Sequence, residues 1–214
     1  MRLILILTTL LAFQSAAASE FDEMKALADQ GDAYAQNNLG VMYDNGRGVP
    51  ENDAEAVKWF RKAAAQGDAY AQYNLGVMYL AGRGVPENDA EAVKWFRKAA
   101  AQGRADAQSK LGFMYDNGRG VPESDAEAIK WYGKAAHQGL AHAQYNLGFM
   151  YATGEGVPEN NIRAYVWWSM AKTQGDADAA IRLDILKPQM TPQQIADGQA
   201  LASKCYESNY KDCD

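Results

Sequence analysis

Residues 31–66 read GDAYAQNNLGVMYDNGRGVPENDAEAVKWFRKAAAQ, and close copies of this stretch follow one another along the chain. The glycine that opens each copy recurs every 36 residues, at Gly31, Gly67, Gly103, Gly139 and Gly175. A period between about 20 and 50 residues indicates units that cannot bury an apolar face alone and therefore stack on their neighbours. The sequence predicts four such repeats, at residues 31–66, 67–102, 103–138 and 139–174.

Two helices are predicted in each repeat. In the first copy, Ala35, Leu39 and Met42 recur at spacings of three and four, which is the pattern of a helix with one buried face. A Gly-x-Gly-Val-Pro connection ends this helix, because glycine tolerates the left-handed conformation and proline lacks the N–H that regular structure needs. A second helix follows and is expected to bury Trp59 and Phe60. We name the two helices of each repeat helix A and helix B.

Glycines and tryptophans recur at fixed positions within these helices. A glycine in the middle of each helix A costs about 1 kcal/mol relative to alanine, so we expect another backbone or a tryptophan to pack directly against it. These glycines are Gly40, Gly76, Gly112 and Gly148. One tryptophan per helix B is expected in the core, at Trp59, Trp95, Trp131 and Trp167. Ser124 and Glu127 have the spacing of a capping box at the start of the third helix B.

The two ends of the array differ from its centre. Residues 19–30 match the end of a repeat and are interpreted as a capping half-repeat. In repeat four, Val166 and Met170 replace lysines of the earlier copies, and because they are four residues apart they make one helix face apolar. Residues 175–214 contain a fifth helix A and a final helix of about 192–206 that begins with a capping box. We predict that this helix covers the apolar face and that the protein is a monomer; contact between two copies of the chain is the alternative.

The first residues have the features of an export signal. Residues 1–18 combine a positive start, an apolar run of about eleven residues and an Ala-x-Ala site, so cleavage is expected before Ser19. The run is shorter than the ~20 residues that a membrane-spanning helix needs, and no transmembrane segment is expected after cleavage. Because an exported chain meets oxidising conditions, Cys205 and Cys213 are predicted to form a disulfide. The expected location is the periplasm or the extracellular space.

The repeat resembles a known family. The Leu-Gly-x-x-Tyr run of helix A matches part of the tetratricopeptide pattern, but that repeat has about 34 residues. The longer Gly-x-Gly-Val-Pro connection, followed by an acidic residue, alanine, tryptophan and then Lys-Ala-Ala, resembles the Sel-one-like repeat (SLR), a helix–turn–helix relative. The resemblance covers residues 21 to 187 and includes four full copies. It implies an all-α, right-handed α-solenoid whose A helices line the concave face, in a family of interaction scaffolds without a shared chemistry.

Composition argues against two classes of ligand. The net charge of −6 gives the chain no electrostatic reason to bind a phosphate backbone, so nucleic acid is not expected as a partner. His137 and His142 are the only histidines in the sequence. A metal site would need further ligands converging on them, so we expect two solvent-facing histidines, no metal and no cofactor.

Two serine–lysine pairs leave one enzymatic alternative. Ser169-x-x-Lys172 and Ser208-x-x-Lys211 have the spacing found in penicillin-recognising enzymes, and some secreted, cysteine-rich SLR proteins have been classed as β-lactamases. Hydrolysis of a β-lactam or of cell-wall peptide is therefore the alternative function. The S-D-N and K-T-G elements that this chemistry needs are not matched in the sequence, and the repeats carry no cysteine pairs. We predict no enzymatic activity.

The candidate binding residues are helix A positions that differ between the copies, whereas the surrounding repeat positions stay the same. Spacings of three and four keep them on one side of each helix A. They are Tyr34, Tyr70, Tyr73, Val77, Phe113, His142, Tyr145 and Phe149. Tyrosine is enriched where proteins bind proteins, whereas the valine and phenylalanine column is equally consistent with packing between neighbouring A helices. The sequence therefore predicts a non-catalytic scaffold that binds a protein or peptide of the cell envelope.

Overall fold

The computed structural model describes residues 19–213, which form helices and turns and contain no strand. Helix α1 occupies residues 19–29. The further helices are α2 (Ala33–Asn45), α3 (Asp53–Ala65), α4 (Ala69–Ala81), α5 (Asp89–Ala101), α6 (Ala105–Asp116), α7 (Asp125–Ala136), α8 (Ala141–Thr153), α9 (Asn161–Thr173), α10 (Ala177–Leu186) and α11 (Pro192–Glu207). None of the helices described between residues 19 and 213 combines the length and the apolar character that crossing a bilayer requires. The predicted signal peptide, residues 1–18, lies outside the described residues.

The described residues form two compact units, which divide between Ala99 and Ala100. In the first unit, α2 packs on α3 and α3 packs on α4. In the second unit, α6, α7, α8 and α9 pack in the same consecutive order, and α9 also contacts α10 and α11. Helices A and B therefore alternate and pack on one another within each unit. This arrangement confirms the predicted all-α architecture of stacked helix–turn–helix repeats.

The same backbone hydrogen bond spans the connection between helix A and helix B in successive repeats. Gly46 ends α2 in the left-handed conformation at φ 65° and donates its amide to the carbonyl of Met42. The amide of Asn52 then donates to the carbonyl of Tyr43 at 2.8 Å. Equivalent bonds join Asn88 to Tyr79, Ser124 to Tyr115 and Asn160 to Tyr151. The backbone of one repeat is therefore a reliable guide to the backbone of the next.

The capping box predicted at Ser124 and Glu127 is only half formed. The amide of Glu127 donates to the Ser124 hydroxyl, as a cap requires. The Glu127 carboxylate does not return to the Ser124 amide, because it accepts instead from Lys130 and from the indole N–H of Trp131. That part of the prediction is wrong. A complete box occurs at α11, where the Thr191 hydroxyl and the side-chain amide of Gln194 each bond the other's backbone.

An aromatic ring of helix B covers the recurring glycine of helix A. A Cβ built on Gly40 would lie 2.6 Å from the ring of Phe60, and one on Gly112 would lie 2.5 Å from that of Tyr132. The four covering residues are Phe60, Phe96, Tyr132 and Trp168. The expectation of a backbone or a tryptophan is therefore wrong for three repeats. The side chain that points at helix A belongs to the residue after the repeated tryptophan.

The repeated tryptophans are buried to different extents. Trp59 and Trp167 are buried, whereas Trp95 and Trp131 keep part of their surface exposed. In the first three repeats, a lysine one turn later lies 3.8–4.5 Å from the ring centroid, in the pairs Lys62–Trp59, Lys98–Trp95 and Lys134–Trp131. The core prediction is thus confirmed for two tryptophans and only in part for the other two.

A buried glutamine fastens each helix A to the end of the preceding helix B. Its side-chain amide donates to an alanine carbonyl eight residues earlier, at 3.1–3.3 Å, in the pairs Gln36–Ala28, Gln72–Ala64, Gln108–Ala100 and Gln144–Ala136. A second glutamine, at the end of the same repeat's helix B, donates to its side-chain oxygen in the pairs Gln66–Gln36, Gln138–Gln108 and Gln174–Gln144. These bonds satisfy a polar group that would otherwise be costly to bury.

The C-terminal helix covers the apolar face of repeat four, as predicted. Val166 and Met170 are 0% and 3% exposed, and they lie in one apolar cluster with Ala202 and Cys205 of α11. The approach is close, because a Cβ on Gly198 would lie 2.8 Å from the ring of Tyr165. A disulfide joins Cys205, near the end of α11, to Cys213 in the tail that follows, and both cysteines are buried. The apolar face is therefore buried within one chain.

Candidate functional site

Both units carry predicted binding residues on their A helices. In the first unit, Tyr34 and Tyr70 are 69% and 61% exposed. Tyr73 lies deeper on α4, with its ring centroid 5.8 Å from that of Phe96, and Val77 is half-buried. Tyr34 borders a cavity of about 340 Å³ between α1 and α2. The first unit thus exposes two tyrosines and uses the third for packing.

In the second unit, a groove between α6 and α8 brings two predicted residues together. Its volume is about 400 Å³. It is lined by Ser109, Lys110, Phe113, Asp116, Asn117, Tyr132, His142 and Asn146. Phe113 and His142 were predicted from the sequence as binding residues, whereas Lys110, Asp116, Tyr132 and Asn146 were not. We name this cavity the repeat 3–4 groove.

Tyr145 and Phe149 are engaged with the fifth helix A. The hydroxyl of Tyr145 accepts from Nε of Arg182 at 3.4 Å, and the Arg182 guanidinium lies 5.4 Å from the centre of the Phe149 ring. Both aromatic side chains are half-buried against the apolar cluster of the second unit. Neither residue lines the repeat 3–4 groove. The contact of Phe149 with α10 is consistent with the packing alternative at this position of the valine and phenylalanine column.

The polar side chains of the groove keep hydrogen-bonding capacity. The side-chain amide of Asn117 donates to the Phe113 carbonyl at 2.9 Å, and that of Asn146 lies 3.2 Å from Nε2 of His142. Each bond uses one amide nitrogen and leaves an amide oxygen able to accept from a ligand. Lys110 adds a cationic donor to the same wall. The groove therefore offers donors and acceptors beside aromatic surface.

The groove wall also contains the carboxylate of Asp116, whose charged form is disfavoured by burial and by neighbouring acidic residues. Burial raises the pKa of Asp116 first, and the nearby charges of Glu155, Asp125 and Glu123 raise it further. The Tyr132 hydroxyl donates to Asp116 at 3.4 Å and opposes this rise. We name Asp116, Glu123, Asp125 and Glu155 the acidic cluster. The sequence signal for it is Glu155, which replaces the arginine found in the three earlier Gly-Arg-Gly loops.

The two serine–lysine pairs have different surroundings. Ser169 lines a cavity of about 430 Å³ between α9 and α11, but Lys172 is exposed and does not line it. The Ser208 hydroxyl donates to the Cys205 carbonyl and accepts from the amides of Lys211 and Asp212. Ser208 therefore shapes the turn after α11.

The two histidines have different environments. Nδ1 of His137 donates to the carbonyl of Tyr210 at 2.5 Å, and its ring packs edge-on against Trp167 with centroids 5.1 Å apart. The expectation that both histidines face solvent is therefore wrong for His137, because the tail beyond α11 folds back onto the end of α7. His142 is exposed, as expected. Within residues 19–213, no group of three or more acidic, histidine or cysteine side chains is arranged to hold a metal ion.

The repeats match one family model. The Sel1 repeat model matches residues 33–68, 69–103, 105–140 and 141–176, which is more than half of the chain. Each match begins two residues after a repeat boundary assigned from the sequence. No curated protein matches the chain.

Solved structures with the same fold come from bacteria. A protective antigen of uropathogenic Escherichia coli strains that displays an SLR fold is 36% identical, with a TM-score of 0.78 over 87% of this chain. The chain spans only 41% of that antigen's length. A Sel1 repeat protein from Oxalobacter formigenes is 37% identical with a TM-score of 0.74, over 83% of this chain and 71% of its own.

A third structure shares the fold alone. The immunity protein Pa5087 from Pseudomonas aeruginosa is 24% identical, with a TM-score of 0.53 over 93% of this chain and 80% of its own. The resemblance seen in the sequence is therefore confirmed by a family model and by solved structures. The chain belongs to the Sel1 repeat family, whose members are generally protein-interaction scaffolds.

Proposed function

We propose that the chain is a non-catalytic scaffold that binds a peptide segment of a partner protein, with the repeat 3–4 groove as its main contact. The observation that carries this proposal is the groove itself, where predicted binding residues on two A helices meet around a cavity of about 400 Å³. Volumes of about 300–1,000 Å³ are typical of ligand sites. A cavity at the lower end of that range suits one or two anchoring side chains.

The lining of the groove suits an extended peptide. Phe113 supplies half-buried aromatic surface, which favours burial of an apolar side chain. Asn117, Asn146 and Lys110 supply acceptors and donors, which an extended backbone needs because its own amides and carbonyls are unpaired. In the first unit, the exposed Tyr34 and Tyr70 are proposed as further contacts for the same kind of partner.

Alanine substitutions in the groove test this function. Peptides are first selected on the purified chain from a phage-displayed random library, and their affinities are then measured by fluorescence anisotropy. We expect Phe113→Ala to weaken binding by about 1–3 kcal/mol, in the range of an anchoring aromatic residue. His142→Ala is expected to weaken it less. His142 is exposed, so this second variant removes a groove side chain with little effect on packing.

The control is the equivalent phenylalanine one repeat later. Phe149 occupies the same repeat position as Phe113, but Arg182 lies over its ring. Phe149→Ala should therefore leave peptide affinity unchanged while causing a comparable loss of packing. Circular dichroism confirms that each variant remains helical. Equal affinities of the wild type, Phe113→Ala and His142→Ala would contradict a role of this groove.

We also propose that the scaffold acts in the periplasm or outside the cell. The support is the buried Cys205–Cys213 disulfide, because such bonds persist under oxidising conditions, together with the export features of residues 1–18. Mass spectrometry of the protein recovered from its host cells is expected to give a chain that begins at Ser19. Recovery of a chain that retains residues 1–18 would contradict this location.

A further inference from the structure

An arginine links neighbouring repeats in the first unit. Arg83 lies in the Gly-Arg-Gly loop of repeat two and reaches back to repeat one. Its Nη2 lies 2.7 Å from Oδ1 of Asp53, where Nε also binds Oδ2 at 3.3 Å, and 2.9 Å from Oδ1 of Asp44. Glu51 lies 3.9 Å from the same nitrogen. The site formed by these three carboxylates is therefore a binding site for a guanidinium.

The same carboxylates recur two periods later without the arginine. Asp116, Glu123 and Asp125 are the counterparts of Asp44, Glu51 and Asp53, each displaced by 72 residues along the sequence. The counterpart of Arg83 is Glu155. Within residues 19–213, no ion pair joins the acidic cluster to a lysine or arginine. The position that holds the positive charge of Arg83 in the first unit therefore holds the negative charge of Glu155 in the second.

The backbone around the two sites is alike. Gly84 follows Arg83 at φ 65° and packs against the backbone of Asp53, and Gly156 follows Glu155 at φ 66° and packs against Asp125. The amides of Asn52 and Ser124, each one residue before the aspartate, donate to the carbonyls of Tyr43 and Tyr115. The carboxylates of Asp116 and Asp125 are therefore held by the same scaffold that presents Asp44 and Asp53 to a guanidinium.

The acidic cluster adjoins the repeat 3–4 groove through Asp116, which belongs to both. Resting on the function proposed above, we propose that the groove binds an arginine side chain of the partner peptide, whose guanidinium pairs with Asp116 and Asp125. The partner's arginine then takes the place that Arg83 occupies between repeats one and two. Glu155 adds a third carboxylate. Charge complementarity favours this occupant, since the chain carries a net charge of −6 and the cluster is wholly acidic.

Arginine suits this site better than lysine. The guanidinium is a planar fork that bonds a carboxylate through two parallel N–H groups, as Arg83 does with Asp53. An ammonium group is a point charge and forms no such fork. The aliphatic stem of the arginine would lie on the half-buried ring of Phe113. Specificity for arginine within a short peptide is therefore the expected behaviour of the groove.

Titration of the ¹⁵N-labelled full chain with blocked alanine-based pentapeptides tests this inference. The central residue of the probe is arginine, lysine or the neutral analogue citrulline. The arginine peptide is expected to shift the amide resonances of Asp116, Asp125 and Glu155 in a saturable manner. Affinity should fall roughly tenfold for the lysine peptide and be lost for the citrulline peptide. Equal affinity for all three peptides would overturn the inference.

Substitutions separate this inference from the general function. Glu155→Arg restores the internal arginine and is expected to abolish binding of the arginine peptide, while Asp125→Asn weakens it at least about tenfold. The matched control is Asp53→Asn, which changes the equivalent carboxylate that Arg83 already binds and should leave peptide affinity unchanged. If library-selected peptides bind the wild type and Glu155→Arg equally yet lose affinity in Phe113→Ala, the arginine inference fails and the proposed function stands.

A titration with calcium chloride tests whether the carboxylates bind a metal ion instead. If calcium shifts the same amide resonances and displaces the arginine peptide, the acidic cluster is a cation site and the inference is overturned.

Discussion

Replacing Trp167 with alanine is expected to lower the free energy of unfolding of the second unit by about 3–5 kcal/mol, the range found for large aromatic residues deleted from a core. Trp167 is 0% exposed and packs edge-on against His137. Met170 takes the place of the lysine that covers the other repeated tryptophans, and it is itself only 3% exposed. Since domains are commonly stable by only about 5–15 kcal/mol, this loss would leave the unit close to unfolding.

Trp131 is the matched control for this substitution. It occupies the same position one repeat earlier in the same unit, but it is half-buried. Lys134 lies 4.5 Å from its ring centroid, and its indole N–H donates to Glu127. Because less apolar surface is lost, Trp131→Ala is expected to cost about half as much as Trp167→Ala. Urea unfolding followed by far-ultraviolet circular dichroism measures both. Equal losses would mean that burial does not distinguish the two positions.

The helical framework could be predicted because its signals are local. The glycines that end helix A, the polar caps of helix B and the Thr191–Gln194 box all act within a few residues of the chain. The cover over repeat four was also predictable. Val166 and Met170 made one helix face apolar, and the sequence contained one amphipathic helix beyond the repeats that could bury it.

Contacts between helices could not be predicted in the same way. Gln36 and Gln66 are ordinary surface residues by composition, yet their side chains bond each other across 30 residues of sequence. Which ring covers a helix A glycine depends on the rotation of helix B, which periodicity defines only coarsely. Identical tryptophans also differ in burial because their neighbours differ along the array.

The candidate site was predictable only in part. Variation between copies singled out Phe113 and His142, which line the repeat 3–4 groove, but it also singled out Phe149, which Arg182 covers. Asp116 was missed because an aspartate at a helix end is usually solvated. Its significance emerges only when Glu155 is compared with Arg83 and when the bonds of Arg83 are known. The exchange of charge was visible in the sequence, but its partners were not.

Replacing Gly112 with alanine is expected to destabilise the second unit by about 1–3 kcal/mol, the usual cost of overpacking a core. A Cβ at this position would lie 2.5 Å from Cδ1 of Tyr132, far inside van der Waals contact. Tyr132 is 1% exposed, so its ring has little room to retreat. Alanine also brings a gain of about 1 kcal/mol to a helix interior, so the net loss is expected in the lower part of this range. Urea unfolding gives the net value.

Gly133→Ala supplies the opposite case in the same unit. Gly133 lies inside α7, and a Cβ there would meet nothing within 4 Å. The same change should therefore raise the free energy of unfolding by up to about 1 kcal/mol, through helix propensity alone. If Gly112→Ala also stabilised the protein, the recurring glycine would not be required for close packing.

The two glycines should also differ in their effect on binding. Tyr132 lines the repeat 3–4 groove and its hydroxyl donates to Asp116, so any shift of the ring to admit a Cβ at Gly112 moves the groove wall. Gly112→Ala is therefore expected to weaken peptide binding as well as stability, whereas Gly133→Ala should raise stability and leave affinity unchanged. Loss of stability in Gly112→Ala at wild-type affinity would show that the ring yields away from the groove. The contact between Gly112 and the ring of Tyr132 therefore holds α6 against α7 and also sets the shape of the repeat 3–4 groove.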